Sequence, residues 1–128
     1  MLSKQGMASN PQELLAPINA TNTAAATGAW VDVRHYAGDI LVFIHVGVVT
    51  AGQVALVIQG ATDDQGTGAG TITPNEGAWT TVTTSNDPLL QQKTFDAKST
   101  GGYIRLVGTV TTGPVQISAC ASSKPRYA

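Results

Sequence analysis

Two adjacent carboxylates in a glycine-rich stretch are the residues of this chain best placed for chemistry. Asp63 and Asp64 precede the run Gln65-Gly66-Thr67-Gly68-Ala69-Gly70. Carboxylate oxygens suit Ca²⁺, but the spacing differs from that of an EF-hand loop, and adjacent residues on an extended chain usually point apart. The run also lacks the lysine and the following helix of a phosphate-binding loop. We therefore expect a solvated hairpin loop here, with no metal and no cofactor.

Side chains that serve as nucleophiles and bases are few and scattered. His35 and His45 are the only histidines, and a zinc site would need further ligands that the sequence does not identify. His45 lies in an apolar run and is expected in the core or at an interface. Cys120 is the only cysteine, and its strand-like surroundings predict a small, buried apolar side chain. No serine stands in a Gly-x-Ser-x-Gly elbow, so we expect no enzymatic activity.

Three aromatic residues leave a binding role open. Trp30, Trp79 and Tyr103 offer rings on which a sugar could stack, but only 5% of the chain is aromatic. Both tryptophans also open strand-like segments, where packing into the core is the commoner fate. Carbohydrate binding is therefore an alternative and not the first expectation.

Charged residues make up only 12% of the 128-residue chain, against roughly a quarter in an ordinary soluble domain. The net charge is −1 and the seven Lys and Arg residues are scattered from Lys4 to Arg126, which argues against nucleic-acid binding. No apolar stretch approaches the ~20 residues of a membrane span, and the first residues lack the apolar core of a secretory signal. These features predict a protein made in a cytoplasm and packed against other proteins.

Residues 1–28 differ from the rest of the chain. They contain Pro11 and Pro17 and show no sustained periodicity. Helix continuation is discouraged because the residue before a proline avoids the helical region. We interpret this segment as an extended N-terminal arm, while a tail without a role remains the alternative. The apolar anchors with which the arm would contact a neighbouring protein are Leu14, Leu15 and Ile18.

From residue 29 onward the pattern is typical of β-strands. Segment 30–34 alternates apolar and polar residues, and segment 40–46 is almost continuously apolar, as in a strand buried on both faces. Val54, Leu56 and Ile58 share one face of a further strand. The remaining strand-like segments are 70–73, 79–84, 90–98, 103–110 and 115–121.

About eight short strands separated by turn signals, with no helix of usable length between them, predict an all-β fold. We expect an antiparallel sandwich or barrel over residues 29–128. Eight antiparallel strands favour a jelly-roll-like arrangement, with an immunoglobulin-like sandwich as the next alternative.

Three stretches together resemble a known family. Ala61-Thr62-Asp63-Asp64-Gln65-Gly66-Thr67-Gly68 follows a strand, Tyr103-Ile104-Arg105-Leu106 opens a late strand, and Pro125-Arg126-Tyr127-Ala128 comes last. In this order, residues 29–128 resemble the small decoration, or cement, proteins of tailed-bacteriophage capsids.

The resemblance implies a jelly-roll-like, non-enzymatic subunit of the virion. Such proteins are commonly homotrimers that sit on the capsid exterior, where copies of the major capsid protein meet, and reinforce the shell. The arm would add contacts to a neighbour, and those contacts must offset an ordering cost of about 1–2 kcal/mol per backbone residue. Arg126 and Tyr127 are predicted contact residues beside the arm anchors, although Tyr127 alternatively closes the edge of its own barrel.

Two other functions remain open at this point. One is a receptor- or glycan-binding module of a phage head fibre or tail spike, which would use an exposed Trp30 or Trp79. The other is a hydrolase on a jelly-roll scaffold, which would require a cleft with converging carboxylates.

Overall fold

The protein is described by a computed structural model that covers residues 11–125. Nine strands and one short 3-10 helix, Ala97–Ser99, make up its regular structure, and this range contains no α-helix. The strands are β1 Gln12–Ala20, β2 Val31–Asp32, β3 Tyr36–Val49, β4 Gln53–Ala61, β5 Gly70–Ile72, β6 Val82–Thr83, β7 Leu89–Asp96, β8 Tyr103–Thr111 and β9 Val115–Pro125.

The strands form two antiparallel sheets, in which strands from the beginning of the chain pair with strands from its end. Sheet A has the order β1-β9-β3-β7, and sheet B has the order β2-β8-β4-β5 with β6 also on β4. The first strand thus pairs with the last, β2 with β8, and β3 with β7. Such nested pairing across two sheets is the topology of a jelly roll. The all-β, jelly-roll-like prediction is confirmed, with nine strands instead of about eight.

Alternation in β3 and β4, an inner strand of each sheet, builds much of the core. Ile40, Val42, Ile44 and Val46 of β3 are fully buried against sheet B. From the other side β4 contributes three residues on one face, as predicted: Val54, Leu56 and Ile58.

The expectation that segment 40–46 is buried on both faces is wrong. The alternate residues of β3, Leu41, Phe43 and His45, point to the outside of sheet A and keep solvent contact. An apolar run by itself does not distinguish a strand covered on both sides from one with an apolar outer face. His45 is accordingly exposed in this chain instead of lying in its core.

Residues 12–20 were predicted to belong to an arm outside the β-sandwich, but in the structure they are part of it. These residues form β1, which pairs with β9 at the edge of sheet A, and Leu14 is only 3% exposed inside the core. Two register shifts interrupt the pairing, so inward residues do not recur at a constant spacing and the sequence shows no period. Pro17 is tolerated because an edge strand can lack an outward N–H donor. Residues 1–10 lie outside the described range.

The chain then crosses to sheet B and runs along the outer edge of β8. The Gly28 amide donates to the Leu106 carbonyl at 2.9 Å, and the Gly108 amide donates to the Ala26 carbonyl at 3.1 Å. Val31 pairs with Ile104 a few residues later. This course places Trp30 beside β8, which matters for the outer face of sheet B.

Candidate interaction surfaces

The outer face of sheet A carries a shallow apolar groove. It has a volume of about 360 Å³ and lies where β1, β9, β3 and β7 expose their outward side chains. Leu15, Phe43 and Leu90 line it, together with His45 and Cys120. One carboxylate, that of Glu13, is at its rim, and no lysine or arginine of the described residues lines it.

Exposed large apolar side chains are concentrated on this sheet. Among the described residues they are Ile18 at 40%, Val48 at 61% and Leu90 at 63% exposure, and all belong to strands of sheet A. Isolated exposed apolar residues are normal, but a contiguous group marks an interaction site. We call the group Leu15, Ile18, Phe43 and Leu90, with the adjoining His45 and Cys120, the apolar face.

Cys120 belongs to the apolar face, which contradicts its predicted burial. Ala119 and Ala121 point into the core, so the alternation of β9 turns Cys120 outward, where it is exposed. Its strand neighbour in the register is Phe43. The described residues contain no group of three or more His, Cys, Asp or Glu arranged to hold a metal ion.

The outer face of sheet B presents a different chemistry, with two arginines stacked on aromatic rings. The Arg105 guanidinium carbon lies 4.6 Å from the Trp30 ring centroid, and that of Arg34 lies 5.1 Å from the Tyr103 ring centroid. Cation–π contacts of this kind contribute about 0.5–1 kcal/mol at exposed sites. We call these four residues the arginine–aromatic cluster.

Arg34 is neutralised within the chain. Its Nε and Nη2 donate to the two carboxylate oxygens of Asp32 at 3.0 and 2.7 Å, a bidentate pair. The hydrogen bond from the Arg34 side chain lowers the pKa of Asp32 from 3.8 to about 2. Both side chains remain well exposed, at 63% and 43%, so the pair contributes little to folding stability.

Arg105 is held in place without a carboxylate. Its Nε donates to the Gln59 side-chain oxygen at 2.9 Å, and its plane rests on Trp30. The ion pair of the described residues is the one between Arg34 and Asp32, so no described carboxylate lies within 4 Å of Arg105. The other arginine of the cluster therefore has its counter-ion, whereas this one does not.

The Asp63-Asp64 loop supports this cluster and is held together by hydrogen bonds to Asp63. Asp63 Oδ1 accepts the backbone N–H groups of Gln65 and Thr67 at 2.9 and 3.0 Å, and hydrogen bonds from Thr67 lower the pKa of Asp63. Gly66, at φ +81°, packs against the Trp30 indole so closely that a Cβ there would lie 3.0 Å from Nε1. The loop is a self-bonded turn that covers part of Trp30.

None of the three rings considered for sugar stacking is freely presented. Trp79 is 8% exposed and packs 6.3 Å from Phe95, which confirms its predicted place in the core. Trp30 and Tyr103 each have an arginine over the ring.

The predicted contact residues end up in different environments. Leu14 is in the core and cannot touch a neighbour, whereas Leu15 is half-buried and Ile18 is exposed on sheet A. Arg126 and Tyr127 lie outside the described residues. The sequence reasoning missed Phe43 and Leu90, whose outward direction follows only from the register of β3 with β7 and β9. It also missed Arg105, for which the sequence held no local signal.

Comparison with known proteins gives a fold likeness only. No protein family and no curated protein matches the sequence. Among solved structures, the crystal structure of the SPBc2 prophage-derived protein YomS is similar, with a TM-score of 0.53 and 14% identity over 90% of this chain and 93% of that chain. The likeness supports the fold. The described residues include no helix long and apolar enough to cross a membrane.

Proposed function

We propose that this chain is a non-enzymatic decoration protein of a phage capsid, which binds the outside of the assembled major-capsid shell as a homotrimer and stabilises it. The observation that carries the proposal is the apolar face. Leu90 is a large aliphatic side chain at 63% exposure. Covering it with another protein would remove apolar surface from water and so contribute favourable binding free energy.

Three further features support this function. The chain has charged side chains at only 12% of positions, so little charge is desolvated when its surface is covered. Its sandwich resembles that of a prophage-derived protein. The sequence stretches described above resemble decoration proteins of tailed phages.

Binding to the shell would act by linkage. A protein that binds only the intact shell lowers the free energy of that state and so raises the temperature at which the shell opens. No chemical step is needed, and the subunit would be found on the virion exterior.

The test uses shells of the phage that encodes this chain, prepared without it. Wild-type protein should co-sediment with the shells and raise their opening temperature. Leu90→Lys places a charge on the apolar face, at the β7 edge of sheet A, and should weaken co-sedimentation roughly tenfold or more. The matched control is Thr50→Lys, which adds the same charge at an exposed position between β3 and β4, outside the strands of either sheet.

Cys120 gives an independent readout of the same contact. Its thiol is exposed in the free chain, so a maleimide should label it readily there and slowly once the protein is on the shell. Absence of co-sedimentation with any shell state would overturn the function. Equal labelling in the free and bound states would remove the apolar face from the contact.

A further inference from the structure

The two arginines of sheet B form an internal comparison. Both are stacked on an aromatic ring beside β8, and both donate from Nε to a side-chain oxygen. For Arg34 that oxygen belongs to the Asp32 carboxylate, which also accepts from Nη2. For Arg105 it belongs to the neutral amide of Gln59.

Arg105 is consequently held in one orientation, and no carboxylate among residues 11–125 forms an ion pair with it. The Arg105 guanidinium lies over the Trp30 ring, and Gly66 packs against that indole from the 63–68 loop. The Nε bond to Gln59 fixes rotation of the plane. A side chain that is already ordered loses little entropy on binding, so pre-organisation of this kind increases affinity.

We propose that Arg105, held by Trp30 and Gln59, is a carboxylate-binding site that receives an acidic side chain of a partner protein. Because its Nε is engaged by Gln59, the planar guanidinium of Arg105 can donate from Nη1 and Nη2 side by side to the two oxygens of a carboxylate, whereas Arg34 binds Asp32 through Nε and Nη2. Arginine and tryptophan are also the residues that most often dominate binding energy at protein interfaces.

Charge favours a protein partner over a nucleic acid. Binding a phosphate backbone requires several clustered cations, whereas Arg34 beside this site is already neutralised by Asp32. A single free guanidinium next to aromatic surface fits a single carboxylate. In a decorated capsid this acidic residue would belong to the shell or to a neighbouring subunit, and to that extent the site rests on the proposed function.

The direct test titrates the full chain with N-acetyl-aspartate amide at constant ionic strength, observing the Trp30 indole N–H and the Arg105 Nε–H by NMR. We expect saturable shifts of both signals, with a dissociation constant on the order of 10–100 mM, as for one set of charge-assisted hydrogen bonds. The Trp79 indole, buried among the core residues, is the internal control and should not move.

Variants distinguish the contribution of the planar guanidinium of Arg105 from that of its positive charge. Arg105→Lys keeps the charge but not the planar fork and should abolish the saturable shift. Lys98→Gln removes one exposed charge elsewhere and should leave it intact. Absence of saturation in the wild-type chain, or an unchanged shift in Arg105→Lys, would overturn the site. Tighter binding of inorganic phosphate than of the carboxylate probe would assign the site to a phosphoryl ligand instead.

A second experiment tests whether the site takes part in binding to the shell. Arg105→Gln should weaken co-sedimentation with shells roughly tenfold or more, while Lys98→Gln should not. If wild-type protein does not bind shells at all, the decoration function fails, but the probe titration still decides the carboxylate site. If shells bind Arg105→Gln as tightly as wild type, the proposed acidic partner is wrong.

Discussion

The outer faces of sheets A and B arise from the same strand alternation, yet they offer different chemistry to a partner. On sheet A the outward side chains include Phe43, His45 and Leu90, and the Glu13 carboxylate also lines the groove. On sheet B they include two arginines stacked on aromatic rings. Residues on the inner faces are constrained by packing, whereas those on the outer faces are free to be selected for contacts. The contrast therefore locates two candidate contact surfaces on opposite sides of one core.

The two faces also differ in how firmly the chain itself supports them. The apolar face is a property of the sheet surface, since its side chains stand on long paired strands. The arginine–aromatic cluster depends on a loop and an edge segment that come together around Trp30. Mutations in the core should consequently disturb the apolar face, whereas mutations in the 63–68 loop should disturb the arginine–aromatic cluster.

The largest effect is expected inside sheet A. Leu14→Ala removes a side chain that is 3% exposed and should lower the free energy of unfolding by about 2–5 kcal/mol. Ile18→Ala, in the same strand but at a side chain that is 40% exposed, should cost less than about 1 kcal/mol. Urea unfolding followed by tryptophan fluorescence measures both.

Equal, small losses for the two variants would contradict the position of β1. The segment would then behave as an arm that does not pack on its own body, and the apolar face would lose the wall that Leu15 provides.

The next largest effect is expected in the 63–68 loop, which packs against the arginine–aromatic cluster on sheet B. Gly66→Ala forces a side chain onto a backbone at φ +81° and against the Trp30 indole, and should destabilise the fold by about 2–3 kcal/mol. Gly68→Ala has a similar strain at φ +68° but open space around it, and should cost about 1 kcal/mol.

Thermal unfolding of the two glycine variants gives the difference. NMR of the Trp30 indole should also show a larger shift in Gly66→Ala than in Gly68→Ala. Equal stabilities and an unmoved indole would mean that the loop does not hold Trp30 beneath Arg105.

The smallest effect concerns the satisfied arginine. Because Arg34 lowers the pKa of Asp32 to about 2, the pair contributes stability above the unfolded value of 3.8, and this is lost as the pH falls toward 2. In Arg34→Gln the pKa of Asp32 should rise toward 3.8. Solvent screening keeps the stability change small, because the pair is largely exposed.

Carboxyl-carbon NMR follows the titration of Asp32 directly when the pH is varied from about 1.5 to about 6. Arg105→Gln is the matched control and should leave the titration of Asp32 unchanged, because Arg105 and Asp32 are not within ion-pair distance. A shift in that variant equal to the one in Arg34→Gln would show that the two arginines are not electrostatically separate.

Much of the fold could be predicted because its signals are local. The alternation of Val54, Leu56 and Ile58 identified β4 and its buried face, and the turn signals divided the chain into nearly the right number of strands. The nature of β1 could not be predicted, because register shifts in that strand remove the period on which the interpretation depends.

The candidate surfaces were less accessible to the same reasoning. Apolar neighbours predicted Cys120 in the core and His45 in the core or at an interface, and only the register of β9 and β3 shows that both point outward. Of the predicted contacts, Ile18 and Leu15 lie on the apolar face, whereas Leu14 does not.

The sequence by itself determined the β class, the low charge and the alternation that separates inward from outward residues, because each depends on composition or on neighbours along the chain. Only the tertiary structure decided which outward residues meet. Trp30 and Arg105 come from distant parts of the chain, and they stack because the chain enters sheet B along the edge of β8 and the 63–68 loop closes over the indole. Such non-local pairing is fixed by the register of whole strands, which no local pattern encodes.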